Sequence, residues 1–178
     1  MGLPSGVQWA NCNIGAERPS DLGLYFSWGN IEGHRAGEGY DFSQTVYDST
    51  PAAAIDTDLS LSQDAARINL GEPWRMPTAA EFQELFDNCT SVWTTMNGVN
   101  GRLFTSNVNA NTLFFPAAGY YNGTSLTNRG TYGAYWSSKY FTATGARYLY
   151  FNSEDVSPQL SINRFYGISV RAVLQAVV

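Results

Sequence analysis

The sequence has few of the side chains that catalytic and metal sites use. Its 178 residues include one histidine, His34, and two cysteines, Cys12 and Cys89. The cysteines are too far apart for a CxxC metal or redox motif, and His34 lies in a glycine-rich loop far in sequence from both. A Ser-His-Asp or Cys-His arrangement would have to use this histidine, which we expect to be solvated. The sequence therefore predicts no enzyme activity, no metal and no cofactor.

Acidic residues close to His34 do not change this expectation. Glu32, Glu38 and Asp41 could imitate a metal site, but they lack a strict ligand spacing. For the two cysteines, a disulfide between them and a pair of buried free thiols are both open interpretations.

Charge and long apolar runs are scarce as well. Charged residues make up 14% of the chain, and the net charge is −5. This acidic balance argues against binding nucleic acid or an anionic membrane surface through a broad basic patch. No apolar run approaches the roughly 20 residues of a membrane span. The chain opens at Met1 and Gly2 without a signal-like segment, which decides nothing about export.

What the sequence does have is glycine and aromatic residues, with 17 Gly, 11 Tyr and 10 Phe. This composition is typical of a loop-rich fold that contains β-strands, and it does not suit a helical bundle. The length fits one domain, residues 1–178, that buries about 70% of the surface its unfolded chain exposes.

Two helices are predicted in the middle of the chain. Ser62 precedes a helix over residues 63–69 that Gly71 ends. Thr78 and Glu81 form a capping box for a second helix. In that helix we expect Phe82, Leu85 and Phe86 to be core residues. We expect Glu81 and Glu84 to be solvated.

Strands are predicted around these helices. The first runs from Val7 to Cys12, and the last runs from Ile168 to Leu174. Residues 92–95 and 101–106 are predicted to form a hairpin around Asn97 and Gly98. A short strand follows over residues 113–116, and residues 30–59 are predicted to form a long ordered loop.

The alternation within residues 147–151 separates two faces of one strand. Leu149 and Phe151 share one face, which we expect to pack, and Tyr148 and Tyr150 share the other, which we expect to be displayed. Farther on, large apolar residues stand among polar ones with neither a helical nor a strand repeat: Leu160, Ile162, Phe165 and Tyr166. They form either an exposed patch or a plug that fixes a loop to the core.

A resemblance covers nearly the whole chain. Its motifs near the N-terminus and in the centre are Leu3 to Ala10, Tyr25 to Gly29, and Trp74 to Thr78 with Glu81. Its motifs near the C-terminus are Gly130, Gly133, Tyr135 to Ser138, Ala146, Leu149, Phe151 to Ser153, Arg164, Gly167 and Ser169 to Arg171. This pattern resembles the Fibrobacter-type major paralogous domains of gut bacteria. Their C-terminal half is similar to a C-type lectin fold and to the variable region of diversity-generating retroelement target proteins.

The resemblance implies an α+β, C-type lectin-like fold with two helices, a small antiparallel sheet that closes the termini, and long ordered loops. Residues 1–118 would be scaffold and residues 119–171 a variable display region. Scaffold positions within that region would be Gly119, Gly133, Trp136, Ser137, Leu149, Phe151, Gly167, Val170 and Arg171. Display positions would be Tyr132, Lys139, Tyr140, Tyr148, Tyr150, Asp155, Ser157, Leu160, Ser161, Ile162, Phe165 and Tyr166.

The function that the resemblance implies is ligand binding without catalysis. A diversified, tyrosine-rich surface would bind a protein or a glycan, at the cell surface or outside the cell, with the gene carried by a gut bacterium or its phage. The alternative is a bacterial surface or adhesin domain that is not diversified and that binds a glycan or a neighbouring protein. The tripeptides Glu-Pro-Asn and Gln-Pro-Asp of calcium-dependent animal lectins do not occur.

Overall fold

Strands dominate the computed structural model, which describes residues 1–44 and 58–175. Strands account for 40% of the structure and helices for 13%, and the strands form several small separate sheets. The expectation of an α+β, C-type lectin-like fold is therefore wrong, because the two helices are short and the chain is mostly β. Of the predicted loop over residues 30–59, residues 45–57 lie outside the described part.

The described part contains two α-helices and ten strands. The helices are α1 (Ala65–Leu70) and α2 (Ala79–Asn88), and single 3-10 turns cover Phe42–Gln44 and Leu61–Gln63. The strands are β1 (Val7–Trp9), β2 (Cys89–Met96), β3 (Val99–Ser106), β4 (Thr112–Pro116), β5 (Tyr120–Asn122), β6 (Ser125–Thr127), β7 (Gly133–Tyr140), β8 (Gly145–Phe151), β9 (Val156–Asn163) and β10 (Val173–Gln175). They form four antiparallel sheets in the orders β1-β10, β2-β3-β4, β5-β6 and β7-β8-β9.

The predicted pairing of the termini is confirmed. Val7 lies opposite Gln175 and Trp9 opposite Val173. Both strands are shorter than predicted, because the backbone after Trp9 leaves the ladder and makes separate bonds, from Ala10 N to Ala172 O at 2.9 Å and from Ile14 N to Val170 O at 3.0 Å.

The helix caps show where local signals were sufficient and where they were not. The predicted capping box between Thr78 and Glu81 is present. In α1 the N-cap is Asp64 and not the predicted Ser62. Asp64 accepts hydrogen bonds from Arg67 N at 2.9 Å and from Met76 N at 2.9 Å, so a contact twelve residues away determines where this helix begins.

Two expected burial assignments on α2 are wrong. Phe86, predicted to be core, is 41% exposed. Glu81, predicted to be solvated, is buried and accepts a hydrogen bond from Arg75 Nη1 at 2.7 Å and from Thr78 Oγ1 at 3.0 Å. Glu84, at the other predicted solvated position, is half-buried and accepts a bond from Ser5 Oγ at 2.7 Å. The ion pair between Arg75 and Glu81 and the capping box between Thr78 and Glu81 therefore bury part of the polar face of α2.

The central strand β8 is packed on both faces. Leu149 and Phe151 join one buried cluster, which includes Phe82 and Leu85 of α2. Tyr148 joins a second cluster with residues that include Trp136, Phe26 and Ile168. The assignment of Leu149 and Phe151 to one face and of Tyr148 to the other is confirmed, and so is the burial of Leu149, Phe151 and Trp136. The expectation that the second face is displayed is wrong at Tyr148, which is buried as well.

Close packing around two of the scaffold positions, Gly133 and Gly167, explains the glycines there. A Cβ atom on Gly133 would lie 2.1 Å from the Phe151 ring, and a Cβ atom on Gly167 would lie 2.4 Å from the Phe42 ring. Any larger residue would displace these rings, so the aromatic core requires glycine at both positions.

A buried arginine connects the terminal segments to the core. Arg171 is fully buried, and its guanidinium donates to Asn13 Oδ1 at 2.8 and 3.0 Å and to Phe114 O at 2.8 Å. It also lies 4.4 Å from the centre of the Phe115 ring. Burial lowers the pKa of Arg171. Within the described residues its hydrogen-bond acceptors are neutral amide and carbonyl oxygens, so hydrogen bonds and a cation–π contact replace an ion pair.

We expect Arg171→Ala to lower the free energy of unfolding by roughly 3 kcal/mol or more. Each buried acceptor left without a donor costs about 1–3 kcal/mol. Urea unfolding followed by tryptophan fluorescence measures the change, and Arg129→Ala, at an exposed position, is the matched control. A loss below about 1 kcal/mol would show that the network adds little to stability.

Deletion of residues 173–178 should destabilise the domain. It removes the whole of β10 and the fully buried Val173, whose burial alone contributes about 1.5–3 kcal/mol. The control is Gln175→Ala, which alters an exposed residue of the same strand. Equal thermal melting of the deletion and the control would show that pairing of the termini is dispensable.

Candidate binding surface

Five aromatic side chains form a continuous, half-buried surface. Ring centroids lie 4.6 Å apart for Tyr132 and Tyr150, 5.2 Å for Tyr120 and Tyr132, 5.6 Å for Tyr120 and Tyr166, and 4.8 Å for Phe165 and Tyr166. These separations are within the range of favourable aromatic pairs. We call these five residues, Tyr120, Tyr132, Tyr150, Phe165 and Tyr166, the tyrosine surface.

Residues far apart in sequence meet here because of backbone pairing. Tyr121 and Gly167 exchange two hydrogen bonds, with N to O distances of 2.8 and 3.0 Å. This bridge places Tyr120 beside Tyr166, and their rings are parallel to within 3°. Gly119 N donates to Tyr132 O at 2.8 Å, which holds Tyr132 against the same region.

Tyr148 is the buried base of this surface and not part of its display. Its side chain is 4% exposed, so the expectation that it faces solvent is wrong. Its hydroxyl lies 2.8 Å from the Tyr132 hydroxyl, and its ring is 6.3 Å from the Trp136 ring. The physical reason is that residues from outside the sheet, among them Phe26 and Ile168, cover the face that the strand pattern leaves open.

The hydroxyl pair is neutral. Burial raises the pKa of Tyr132, and its hydrogen bond with Tyr148 raises it further. Burial also raises the pKa of Tyr148. Neither phenol ionises near neutral pH, so the hydrogen bond joins two neutral hydroxyls.

Tyr150 connects the tyrosine surface to the turn between β8 and β9. Its hydroxyl accepts a hydrogen bond from Asn152 Nδ2 at 2.6 Å. The Asn152 side-chain oxygen accepts bonds from Glu154 N at 2.8 Å and Asp155 N at 2.7 Å. Asp155 is therefore exposed on a turn whose backbone is held by the same amide that contacts Tyr150.

Part of the segment predicted to lack a strand repeat is nevertheless a strand. Leu160 and Ile162 lie on β9, with Leu160 opposite Tyr148 and Ile162 opposite Ala146. An irregularity between Tyr148 and Tyr150 shifts the register, so Ser157 is the residue opposite Tyr150. This extra residue breaks the alternation on which recognition of a strand depends.

The two interpretations of the apolar residues each apply to a part of the set. Leu160 is 41% exposed, and Ser161 beside it is exposed as well. Ile162 is half-buried and packs against the core, whereas Phe165 and Tyr166 are half-buried within the tyrosine surface. Ser157 is half-buried beside Tyr150.

Lys139 and Tyr140 lie at the far end of β7 from Gly133. The Tyr140 ring is 6.2 Å from the Trp28 ring, and Lys139 forms a backbone bridge with Asp58. Both are half-buried, and within residues 1–44 and 58–175 no ring contact joins Tyr140 to the tyrosine surface. Some of the predicted display residues therefore belong to the tyrosine surface, and the others lie at separate positions around it.

The histidine and the cysteines lie apart from the tyrosine surface. His34, expected to be solvated, is buried, stacked 3.5 Å from the centre of the Tyr40 ring and 2.8 Å from a Glu38 oxygen. Cys12 and Cys89 are free thiols. Among the described residues, no group of three or more His, Cys, Asp and Glu side chains could hold a metal ion.

The arrangement suits contact with a neutral or amphipathic partner. Tyrosine rings give a large contact area with few torsions to order, and their hydroxyls can donate or accept hydrogen bonds. Tyr120 was missed in the sequence because it stands directly after the scaffold residue Gly119, and only its ring contacts with Tyr132 and Tyr166 reveal it.

No helix in the described ranges is both long enough and apolar enough to cross a membrane. In comparisons with known proteins, no protein-family model, no curated protein and no solved structure matches this chain.

Proposed function

We propose that this protein is a non-enzymatic ligand-binding protein whose tyrosine surface contacts a protein or glycan partner outside the cell or at the cell surface. We further propose that residues 119–171 are the variable region of a retroelement-diversified target protein. The observation that carries the proposal is the row of five half-buried aromatic rings in consecutive contact above a buried tyrosine.

A rigid base supports this proposal. Tyr148 and Trp136 are buried beneath the surface, and Trp136 Nε1 donates to Phe26 O at 2.6 Å. A preorganised platform loses little conformational entropy when it binds, so its aromatic rings can contribute more to affinity. The exposed positions, Leu160 and Ser161 among them, can change without disturbing this base, because surface substitutions usually alter stability by less than about 0.5 kcal/mol.

The chemistry of the partner follows from the same contacts. The tyrosine surface itself carries no charged side chain, and the chain as a whole has a net charge of −5. Polyanions such as nucleic acid are therefore disfavoured. Aromatic rings with hydroxyl groups suit protein epitopes and the apolar faces of sugars equally well.

Sequencing the gene and its genomic neighbourhood in many isolates tests the diversification. We expect a nearby near-copy of the DNA for residues 119–171 that differs at adenines, beside a reverse transcriptase gene. We expect variation at Tyr150, Leu160 and Tyr166 but not at Trp136 or Arg171, because the latter two are fully buried. Uniform codons at all of these positions, with no such copy, would favour the adhesin alternative.

Stability measurements test which tyrosines support the fold. We expect Tyr148→Ser to cost roughly 3 kcal/mol or more, since it removes a buried ring and leaves Tyr132 without its hydroxyl partner. Tyr150→Ser with Tyr166→Ser should cost clearly less, because both rings are half-buried. Tyr148→Phe is the matched control that keeps the ring. If the double variant melts below Tyr148→Ser, the tyrosine surface is structural and the proposal loses its basis.

A further inference from the structure

The edge of β2 is unusual for an exposed strand. It forms one side of the β2-β3-β4 sheet, and no strand of the part of the chain that the structure describes pairs with its other side. Its eight residues, Cys89 to Met96, include no charged residue, no proline and no glycine. Edge strands of soluble proteins usually carry such residues because they prevent pairing with another chain.

The register shows which backbone groups point outward. Met96 and Val99 flank the two-residue turn at Asn97 and Gly98. In such a hairpin the flanking residues are hydrogen-bonded, and bonded pairs then alternate along the ladder. The outward-facing residues of β2 are accordingly Cys89, Ser91, Trp93 and Thr95.

Among the residues that the structure describes, these outward groups have almost no hydrogen-bond partners. Within residues 1–44 and 58–175, none of their four N–H groups donates to a backbone carbonyl outside the β2–β3 ladder. Among their carbonyls, Ser91 O accepts one long bond, from Arg102 Nη1 at 3.4 Å. The strand thus presents a row of donors and acceptors that a further strand would satisfy.

We propose that β2 pairs with β2 of a second copy of this chain, antiparallel and about a two-fold axis at Val92. In this register Cys89 faces Thr95 of the second copy, and Ser91 faces its Trp93. It is the symmetric register that pairs all four outward residues, and each bonded pair exchanges two hydrogen bonds. The two three-stranded sheets then form one continuous sheet of six strands.

The side chains of β2 favour a second copy of this chain as the strand that pairs with it. Val92, at the axis, is 50% exposed and would meet its own equivalent. A two-fold axis places identical residues near each other, which repels when they carry the same charge, and β2 carries none. The dimer would present two tyrosine surfaces and so bind repeated ligands with higher avidity, although the pairing itself does not depend on the proposed function.

Sedimentation velocity at several protein concentrations tests the pairing. We expect the unaltered chain to be dimeric, and Val92→Lys to raise the dimer dissociation constant by about 100-fold or more, since like charges at the axis cost several kcal/mol. The control is Val108→Lys, which adds the same charge at an exposed residue outside β2 and should stay dimeric. Circular dichroism checks that both variants fold.

Disulfide trapping tests the register. In Cys12→Ser, Cys89→Ala protein, Val92→Cys should form an interchain disulfide on mild oxidation, because Cα atoms of a non-hydrogen-bonded pair lie about 4.5 Å apart. Val108→Cys in the same background should not. A monomer at every concentration, a dimer that Val92→Lys leaves intact, or trapping that is equal at both positions would each overturn the proposal. In the first case a peptide strand of another protein becomes the occupant to seek.

Discussion

The buried guanidinium of Arg171 is the contact on which the architecture depends most. It connects the C-terminal segment to Asn13 of the N-terminal segment, to the backbone of β4 and to the Phe115 ring. A charged group in such a place is stable only while every donor is satisfied, because an unpaired buried charge is costly. The arrangement of several separate small sheets into one packed structure is therefore constrained by one side chain with neutral partners.

The packing of β8 on both faces explains how a candidate binding surface can be both aromatic and rigid. Leu149 and Phe151 pack toward α2, and Tyr148 packs toward Trp136 on the other side. The tyrosine surface lies above this second cluster and is held by the hydroxyl pair of Tyr132 and Tyr148. A ligand would meet rings whose positions are set before binding.

The two proposals concern different regions of the molecule. The tyrosine surface lies on β5, β8 and the segments that flank β7 and β9, whereas the edge of β2 belongs to another sheet. Binding and self-association could thus be altered separately by substitution. Together the two proposals describe a dimer that presents two copies of the neutral tyrosine surface.

The sequence by itself determined the local elements. The capping box of α2, the hairpin of β2 and β3, and the assignment of alternate β8 side chains to opposite faces could be predicted, because each depends on residues close in sequence or on simple alternation. The pairing of the termini was predicted from the resemblance and is present in the structure. Trp136, a scaffold position according to the resemblance, is fully buried, and Gly133 and Gly167 are closely packed against aromatic rings.

Only the tertiary structure decided which faces are covered and which residues meet. Tyr148 is buried because distant residues such as Phe26 and Ile168 cover it, and Asp64 replaces Ser62 as the cap because Met76 lies near it in space. The irregularity in β9 concealed that strand. The α+β class that the resemblance implied is wrong because the helices are short and strands dominate the structure. Burial depends on neighbours supplied by other segments, and periodicity along one segment contains no information about them.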